Sequence, residues 1–166
     1  MALTHAVVES PLGELTLVAS DRKLSGVYFA GQRNRPRPER LGRRAPEDFA
    51  EPGRQLGEYF GGERAGFELE LDLHGDEFDR RVWELVARIP YGQTRTYGQL
   101  ASELGDPGLA PQVGVANARN RLLIVVPCHR VVGAKGRLTG YAGGLARKAA
   151  LLDLEATDEA REGRLF

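Results

Sequence analysis

Leu122-Leu123-Ile124-Val125-Val126-Pro127-Cys128-His129-Arg130-Val131-Val132 is the stretch on which the reading of the chain turns. It holds the only cysteine among 166 residues. An apolar run enters it and a Val-Val pair leaves it. Pro127 has no backbone N–H and a fixed φ, so it ends a buried strand or starts a turn. A soft nucleophile, an imidazole and a guanidinium therefore stand in consecutive positions inside an apolar frame. A lone cysteine beside a histidine is a candidate nucleophile, because the thiolate is the reactive form and a neighbouring base or cation raises its fraction. The competing reading is a small core residue, since free cysteine is among the most buried types.

Working outward, Asn117-Ala118-Arg119-Asn120 precedes this stretch and Gly140-Tyr141-Ala142-Gly143-Gly144-Leu145-Ala146-Arg147-Lys148 follows it. Further upstream lie Ile89-Pro90-Tyr91-Gly92-Gln93-Thr94 and Thr96-Tyr97-Gly98-Gln99-Leu100-Ala101. Together these segments closely resemble the O6-alkylguanine-DNA alkyltransferases, whose active-site signature is Pro-Cys-His-Arg-Val. The resemblance runs in consistent order from Phe78 to Glu155, and the N-terminal part is compatible with it. It implies an α/β N-terminal domain, ribonuclease H-like, over residues 1–75. It also implies a mostly α C-terminal domain over 76–166 with a winged-helix-like helix-turn-helix.

Composition is that of an ordinary globular chain, 42% apolar and 28% charged. No apolar run is long enough to span a membrane, and Met1-Ala2-Leu3-Thr4-His5 lacks the basic and apolar regions of a secretory signal. One cysteine excludes an intrachain disulfide and fits a reducing compartment, so a cytoplasmic protein is expected. With only His5, His74 and His129 beside it, the ligands for a structural zinc are too few, and no metal or cofactor is expected. Net charge is zero, but Arg80 to Ala149 carries eleven Lys and Arg against three Asp and Glu. That is the footprint of a phosphate-binding surface, with a solvated basic face as the alternative.

Residues 5–30 read as strands: His5–Ser10, Leu15–Ala19 and Gly26–Phe29, punctuated by Pro11-Leu12-Gly13. Gly31 to Pro46 is rich in Arg, Pro and Gly and reads as a loop, its six arginines able to touch nucleic acid or simply to be solvated. Phe49, Leu56, Tyr59 and Phe60 predict a helix ended by Gly61-Gly62. Phe67, Leu69, Leu71 and Leu73 alternate with polar residues, a half-buried strand. The boundary falls at His74-Gly75.

From Asp76 the period becomes helical. Phe78, Val82, Leu85, Val86 and Ile89 share one face, and Pro90 stops the helix. Thr96 is placed to cap a second helix closed by Gly105. A third short helix spans Pro111 to Ala118, after a loop at Asp106-Pro107-Gly108. Two short helices across a Gly/Pro turn form a helix-turn-helix pattern. Gly133-Ala134-Lys135-Gly136-Arg137 reads as a basic hairpin turn. A last helix from Leu145 to Ala156 is expected to turn Leu145, Ala149, Leu151 and Leu152 inward, and the acidic final ten residues to fray.

The resemblance implies direct, stoichiometric transfer of an alkyl group from O6 of guanine, with O4 of thymine a further candidate, onto Cys128. A thiolate attacks saturated carbon well, and the thioether has no easy hydrolytic exit, so such a protein is consumed in one turnover. The implied base is His129, acting through a water and oriented by Glu155, with Asp153 as the rival carboxylate. Tyr97 is implied as proton donor to the leaving guanine, against a plain packing role. Asn120 matches a hinge asparagine. Tyr141, Gly143 and Val131 are implied in the substrate pocket. Gln112, Arg119, Arg130 and Thr96 are the candidate DNA contacts, Arg130 serving either structure or phosphate. The implied partner is alkylated double-stranded DNA, gripped in the minor groove by a monomer, with the target base turned out of the helix.

Two positions depart from the family pattern. Pro111 stands where an intercalating arginine is normal, beside the uncharged Gln112, and Arg121 follows the asparagine where proline is common. Pro111 motivates one alternative, an alkyl acceptor for non-duplex or small-molecule substrates. A lesion binder without repair activity is opposed by Cys128 itself, and a Cys-His hydrolase needs an oxyanion hole that the sequence does not locate.

Overall fold

Apolar and β-branched residues in short runs separated by turn residues build the first sheet of the computed structural model, which describes residues 2–156. The tail expected to fray lies outside the described residues. β1 (Leu3–Val8), β2 (Leu15–Ser20) and β3 (Lys23–Phe29) form an antiparallel meander, and β4 (Arg43–Arg44) adds parallel to β1, giving the order β3-β2-β1-β4. Gly13 turns the first corner at φ +106°, donating to the Ser10 carbonyl at 3.0 Å. Asp21 and Arg22 turn the second with both φ positive, the geometry that suits strand twist in a two-residue hairpin. β1 begins two residues earlier than the sequence suggests, at Leu3, and β3 begins at Lys23 because a turn without Gly or Pro leaves no obvious signal.

The chain falls into two compact units. Among the described residues the first comprises 2–75 together with Arg121–Val125; the second comprises 76–120 and 126–156. The returning segment lies on the outer edge of β3, where Val27 N–H donates to the Arg121 carbonyl at 2.8 Å and Val27 bridges Leu122 in parallel.

Two expectations for the first unit are corrected and one open alternative is decided. Gly31–Pro46 is not an open loop: it carries a 3₁₀ turn at Pro38–Arg40 and the β4 pairing, with Leu41 and Ala45 buried. Phe67–Leu73 is extended but pairs as a strand only at the isolated Leu24–Leu71 bridge. Its backbone is held instead by the buried Gln55 amide, which accepts from Glu68 N–H at 2.9 Å and donates to the Glu68 carbonyl at 3.2 Å. Gln55 belongs to α1 (Ala50–Phe60), whose Leu56 and Tyr59 face the core. The open alternative concerns the run entering the cysteine, where Pro127 either ends a buried strand or starts a turn. Leu122–Val126 is no buried strand: Ile124 sits at φ +73°, and Val125 N–H turns back to the Leu123 carbonyl. A short apolar run looks the same whether it is strand or buried turn. A β-branched residue at positive φ stores about 1–3 kcal/mol of strain, so the surrounding packing must impose it.

The second unit is helical. α2 (Glu77–Ala87) is capped by Asp76, which accepts from Asp79 N–H at 2.7 Å. Its Val82, Trp83 and Val86 are buried, and Trp83 Nε1 donates to the Ala116 carbonyl at 2.8 Å. That bond pins α2 to the helix Ala110–Ala118, two helices further along the chain. Between them, α3 (Tyr97–Glu103) begins with a full capping box between Thr96 and Gln99, an arrangement worth about 1 kcal/mol. A 3₁₀ turn at Pro107–Leu109, rather than a plain loop, joins α3 to that helix, α4. β5 (Arg95–Thr96) pairs in parallel with β6 (Val131–Val132). Gly133–Arg137 is not a hairpin between strands: it folds around a 3₁₀ turn at Ala134–Gly136 with Lys135 at φ +61°. α5 (Leu145–Glu155) completes the unit.

Candidate active site

Pro127 cannot extend a ladder, and the chain after it winds into one 3₁₀ turn, Cys128–Arg130, closed by Arg130 N–H to the Pro127 carbonyl at 2.9 Å. All three side chains are buried, His129 completely. The opposite wall is the end of α5. Glu155 is its last residue, where the negative end of the helix dipole disfavours a carboxylate. What holds it there is the turn: Glu155 Oε2 lies 2.7 Å from His129 Nε2, while Arg130 donates from Nε to Oε1 at 2.7 Å and from Nη2 to Oε2 at 3.0 Å. The third guanidinium nitrogen of Arg130 donates to the Ile89 carbonyl at 2.7 Å, and Tyr91 lies beneath it with its centroid at 5.7 Å.

This geometry corrects the reading of Arg130 as a DNA contact. Its guanidinium is buried and every nitrogen is used inside the protein. It also separates the two rival carboxylates, since Asp153 is exposed and Glu155 is 1% exposed.

Electrostatics follow from burial. Glu155 would be raised by loss of water, but the bonds from His129 and Arg130 override that and hold it at about 2. Burial lowers His129 below its ordinary 6.5, against the pull of Glu155, so the ring is neutral at pH 7. Neutral imidazole carries one proton. With Nε2–H donated to Glu155, Nδ1 is a bare acceptor, and it is buried without a hydrogen-bond partner among the described residues. Burial likewise pushes the Cys128 thiol up to about 11, opposed by a hydrogen bond from the Asn120 side chain and by the charge of Lys148. Asn120 follows α4 and also donates from Nδ2 to the Val126 carbonyl at 2.9 Å, while Asn117 donates to the Cys128 carbonyl at 3.3 Å.

Lys148 is the residue that sequence reasoning misses. Its side chain is fully buried, and its Nζ donates to the carbonyls of Thr139 and Gly140 at 2.6 and 3.3 Å. Burial brings it down to about 8, with Cys128 pulling the other way. The inward stripe of α5 is Lys148, Leu151 and Glu155, whereas Leu145, expected inside, is 49% exposed. A charge is assigned outward by default, and a spacing of 148, 151 and 155 is the helical signal that finds it.

Around this core, Thr139 Oγ1 donates to the Tyr97 hydroxyl at 3.4 Å. The ring of Tyr141 stands edge-on to His129 at 6.5 Å between centroids. Gly143 is buried, its carbonyl accepting from Arg147 at 3.3 Å. Val131 is fully buried and pairs with Arg95. The remaining predicted DNA-facing residues lie on the helix pair. Pro111 and Gln112 are exposed in the first turn of α4, and Val115 is exposed one turn on. Arg119 makes a loose ion pair with Asp79 at 3.5 Å. The Thr96 hydroxyl accepts from Gln99 N–H as the α3 cap. Among the described residues no three His, Cys, Asp or Glu side chains gather as metal ligands. No helix there is long and apolar enough to cross a membrane.

Known proteins share this arrangement of parts. The family model described as 6-O-methylguanine DNA methyltransferase, DNA binding domain, matches residues 77–157. The model for the ribonuclease-like domain of the same methyltransferase matches residues 3–73. A methylated-DNA–protein-cysteine methyltransferase of Mycolicibacterium paratuberculosis is 50% identical over 154 residues, 92% of each chain. One from Mycobacterium tuberculosis is 43% identical over 164 residues, 98% of each. A crystal structure of Mycobacterium tuberculosis OGT in complex with DNA superposes with a TM-score of 0.87 at 45% identity, covering 92% of each chain. With both of its parts matched and relatives this similar over nearly their whole length, the chain belongs to the 6-O-methylguanine DNA methyltransferase family.

Proposed function

We propose that this protein repairs DNA by moving an alkyl group from O6 of guanine onto Cys128, once per molecule. The observation that carries the reading is the buried line Glu155–His129 beside the lone thiol, with Nε2 committed to the carboxylate and Nδ1 left as a base. The Cys128 proton passes to His129 Nδ1 through a water, and Glu155 stabilises the imidazolium that forms. The thiolate sulfur then attacks the alkyl carbon. The S–C bond forms as the C–O6 bond breaks, and the electron pair stays on the guanine. Tyr97 supplies the proton that neutralises the leaving base. A thioether is a poor leaving group, so the protein is not regenerated.

Lys148 serves as local cation for the thiolate and as anchor of the Thr139–Gly140 backbone, which with Tyr141, Gly143 and Val131 frames the guanine pocket. Alkylated duplex DNA is the substrate, taken by the minor groove on α4 through Gln112 and Arg119, and the protein acts as a monomer. O4 of thymine is a second substrate of the same chemistry. A ribonuclease H-like first unit and a winged-helix-like second unit are the finer fold assignments. The mixed sheet order β3-β2-β1-β4 and the succession of capped α3 and α4 across a short turn support them. A cytoplasmic location fits a thiol that must stay reduced. Intact-mass measurement after incubation with an O6-methylguanine duplex tests the core of this: one added methyl group, on Cys128, then no further reaction. Sustained demethylation of excess oligonucleotide would refute it.

A further inference from the structure

The first unit holds a cleft of about 620 Å³ that the chemistry at Cys128 does not use. Its floor is a small apolar cluster of Val18, Tyr28 and Leu41 with Leu3 packed beside it. The Tyr28 ring folds back over Gly26, where a Cβ would stand 2.5 Å from Tyr28 Cε2, so glycine is what lets the ring lie there. The rim is cationic, with Arg40 and Arg121 on it and His74 beside them.

The charges on this rim are unspent. Gly31–Pro46 carries six arginines and one acidic residue, Glu39. Arg43 pairs with Glu47, and Arg35 donates to the Thr16 hydroxyl at 2.8 Å. Arg40 and Arg121 are exposed and make no ion pair among the described residues. His74 Nε2 already lies 3.0 Å from Asp72 Oδ2, so it is engaged within the protein. Two guanidiniums without carboxylates, over an apolar floor, match a ligand with an anionic head and a flat apolar body. Guanidinium forks fit phosphate oxygens in pairs. The volume lies within the 300–1,000 Å³ common to small-ligand sites.

We infer that this cleft binds a nucleotide unit, its phosphate on Arg40 and Arg121 and its base on the Leu3–Val18–Tyr28–Leu41 floor. The unit comes either as a free mononucleotide or as part of a DNA strand. Both sources share the same chemistry, and two arms separate them. The first titrates the full chain with dGMP by calorimetry. The second measures binding to an undamaged short duplex as a function of salt. Both compare the parent with the Arg40→Gln/Arg121→Gln double variant, whose changed side chains are exposed. If free nucleotide is the ligand, dGMP binds the parent and the variant binds it about tenfold or more weaker, the loss expected for charge-assisted bonds. If DNA is the source, the slope of log affinity against log salt falls by about two, close to one for each phosphate that a guanidinium no longer neutralises. Parent and variant alike in both arms would overturn the inference. Methyl transfer from free O6-methylguanine should be equal in the two proteins. A variant slowed there acts through the fold and overturns the inference as well, whereas failure of transfer in the parent would sink only the proposed repair chemistry.

Discussion

Replacing Glu155 by Gln keeps the shape of the side chain and removes one buried charge that serves two partners. The parent carboxylate meets His129 once and Arg130 twice, all within 3.0 Å. Two routes give the size of the loss. Glu155 is held at about 2 against an ordinary 4.5; at about 1.4 kcal/mol per unit that is about 3 kcal/mol of stability at neutral pH. Breaking a buried pair from one side strands the other charge, at a cost of about 3–5 kcal/mol. The sign with pH follows. A depressed carboxylate contributes fully above about 4.5, and the contribution is lost as pH falls through about 2. Trp83 is the only tryptophan and is buried in α2, so its fluorescence reports urea unfolding of the second unit. Glu155→Gln should lose about 3–5 kcal/mol at pH 7 and show a flatter decline in acid below pH 4.5. Methyl transfer should slow about a hundredfold, since the base loses the group that fixes its tautomer. A loss under about 1 kcal/mol, the range of exposed pairs, or an acid limb identical to the parent's, would refute the view that this cluster is the electrostatic centre of the unit.

The same geometry fixes other outcomes. Transfer should be nearly flat from pH 6.5 to about 8 and fall only in more acid solution than His129's ordinary 6.5, because burial keeps the ring neutral through that window and it must stay so to act as base. A single-turnover rate rising tenfold per pH unit across it would point to a free thiolate and remove His129 from that role. Lys148→Met should push the Cys128 thiol above about 11 and cut transfer at pH 7, while a thiol-reagent titration unchanged from the parent would deny it any electrostatic part. Pro111→Arg, at an exposed first-turn position of α4, should raise the ratio of duplex to free-base repair rates; an unchanged ratio would mean that Gln112 or another residue already fills the gap in the base stack. Gly42→Ala should destabilise the first unit by at least about 2 kcal/mol in thermal unfolding, because at φ +75° the new Cβ overlaps the Leu3 carbonyl.

Legibility in the sequence varies with the kind of signal. The helices are readable because their punctuation is local: Asp76, Thr96, Pro90 and Gly61 each act within a few residues. Cys128 and His129 are readable because such a pair is chemically conspicuous. Choosing Glu155 over Asp153 depends on resemblance, since two carboxylates two positions apart on one helix differ only in the face they present. Lys148 is hidden because a charge on a helix is assigned to solvent unless a buried partner is known. For the same reason Arg130 stays open between structure and phosphate until its buried partners are seen. The turn at Leu122–Val126 and the single bridge at Leu71 escape because hydrophobic pattern reports burial, while hydrogen-bond pairing depends on partners distant in sequence.

The return of Arg121–Val125 to β3 has a consequence for how the chain is made. Val27 and Leu122 are about 95 residues apart, so bringing them together costs far more loop entropy than any hairpin in the first sheet. During synthesis the meander of β1 to β3 is complete long before its outer edge finds this partner. Until then Val27, buried in the finished protein, faces solvent along an unpaired strand edge, the surface through which nascent chains adhere to one another. The nucleophile emerges from the ribosome only after the five residues that close this edge. The reactive thiol and the seal on the sheet are therefore completed together, and a ribosome that stalls short of Leu122 releases neither chemistry nor a closed sheet.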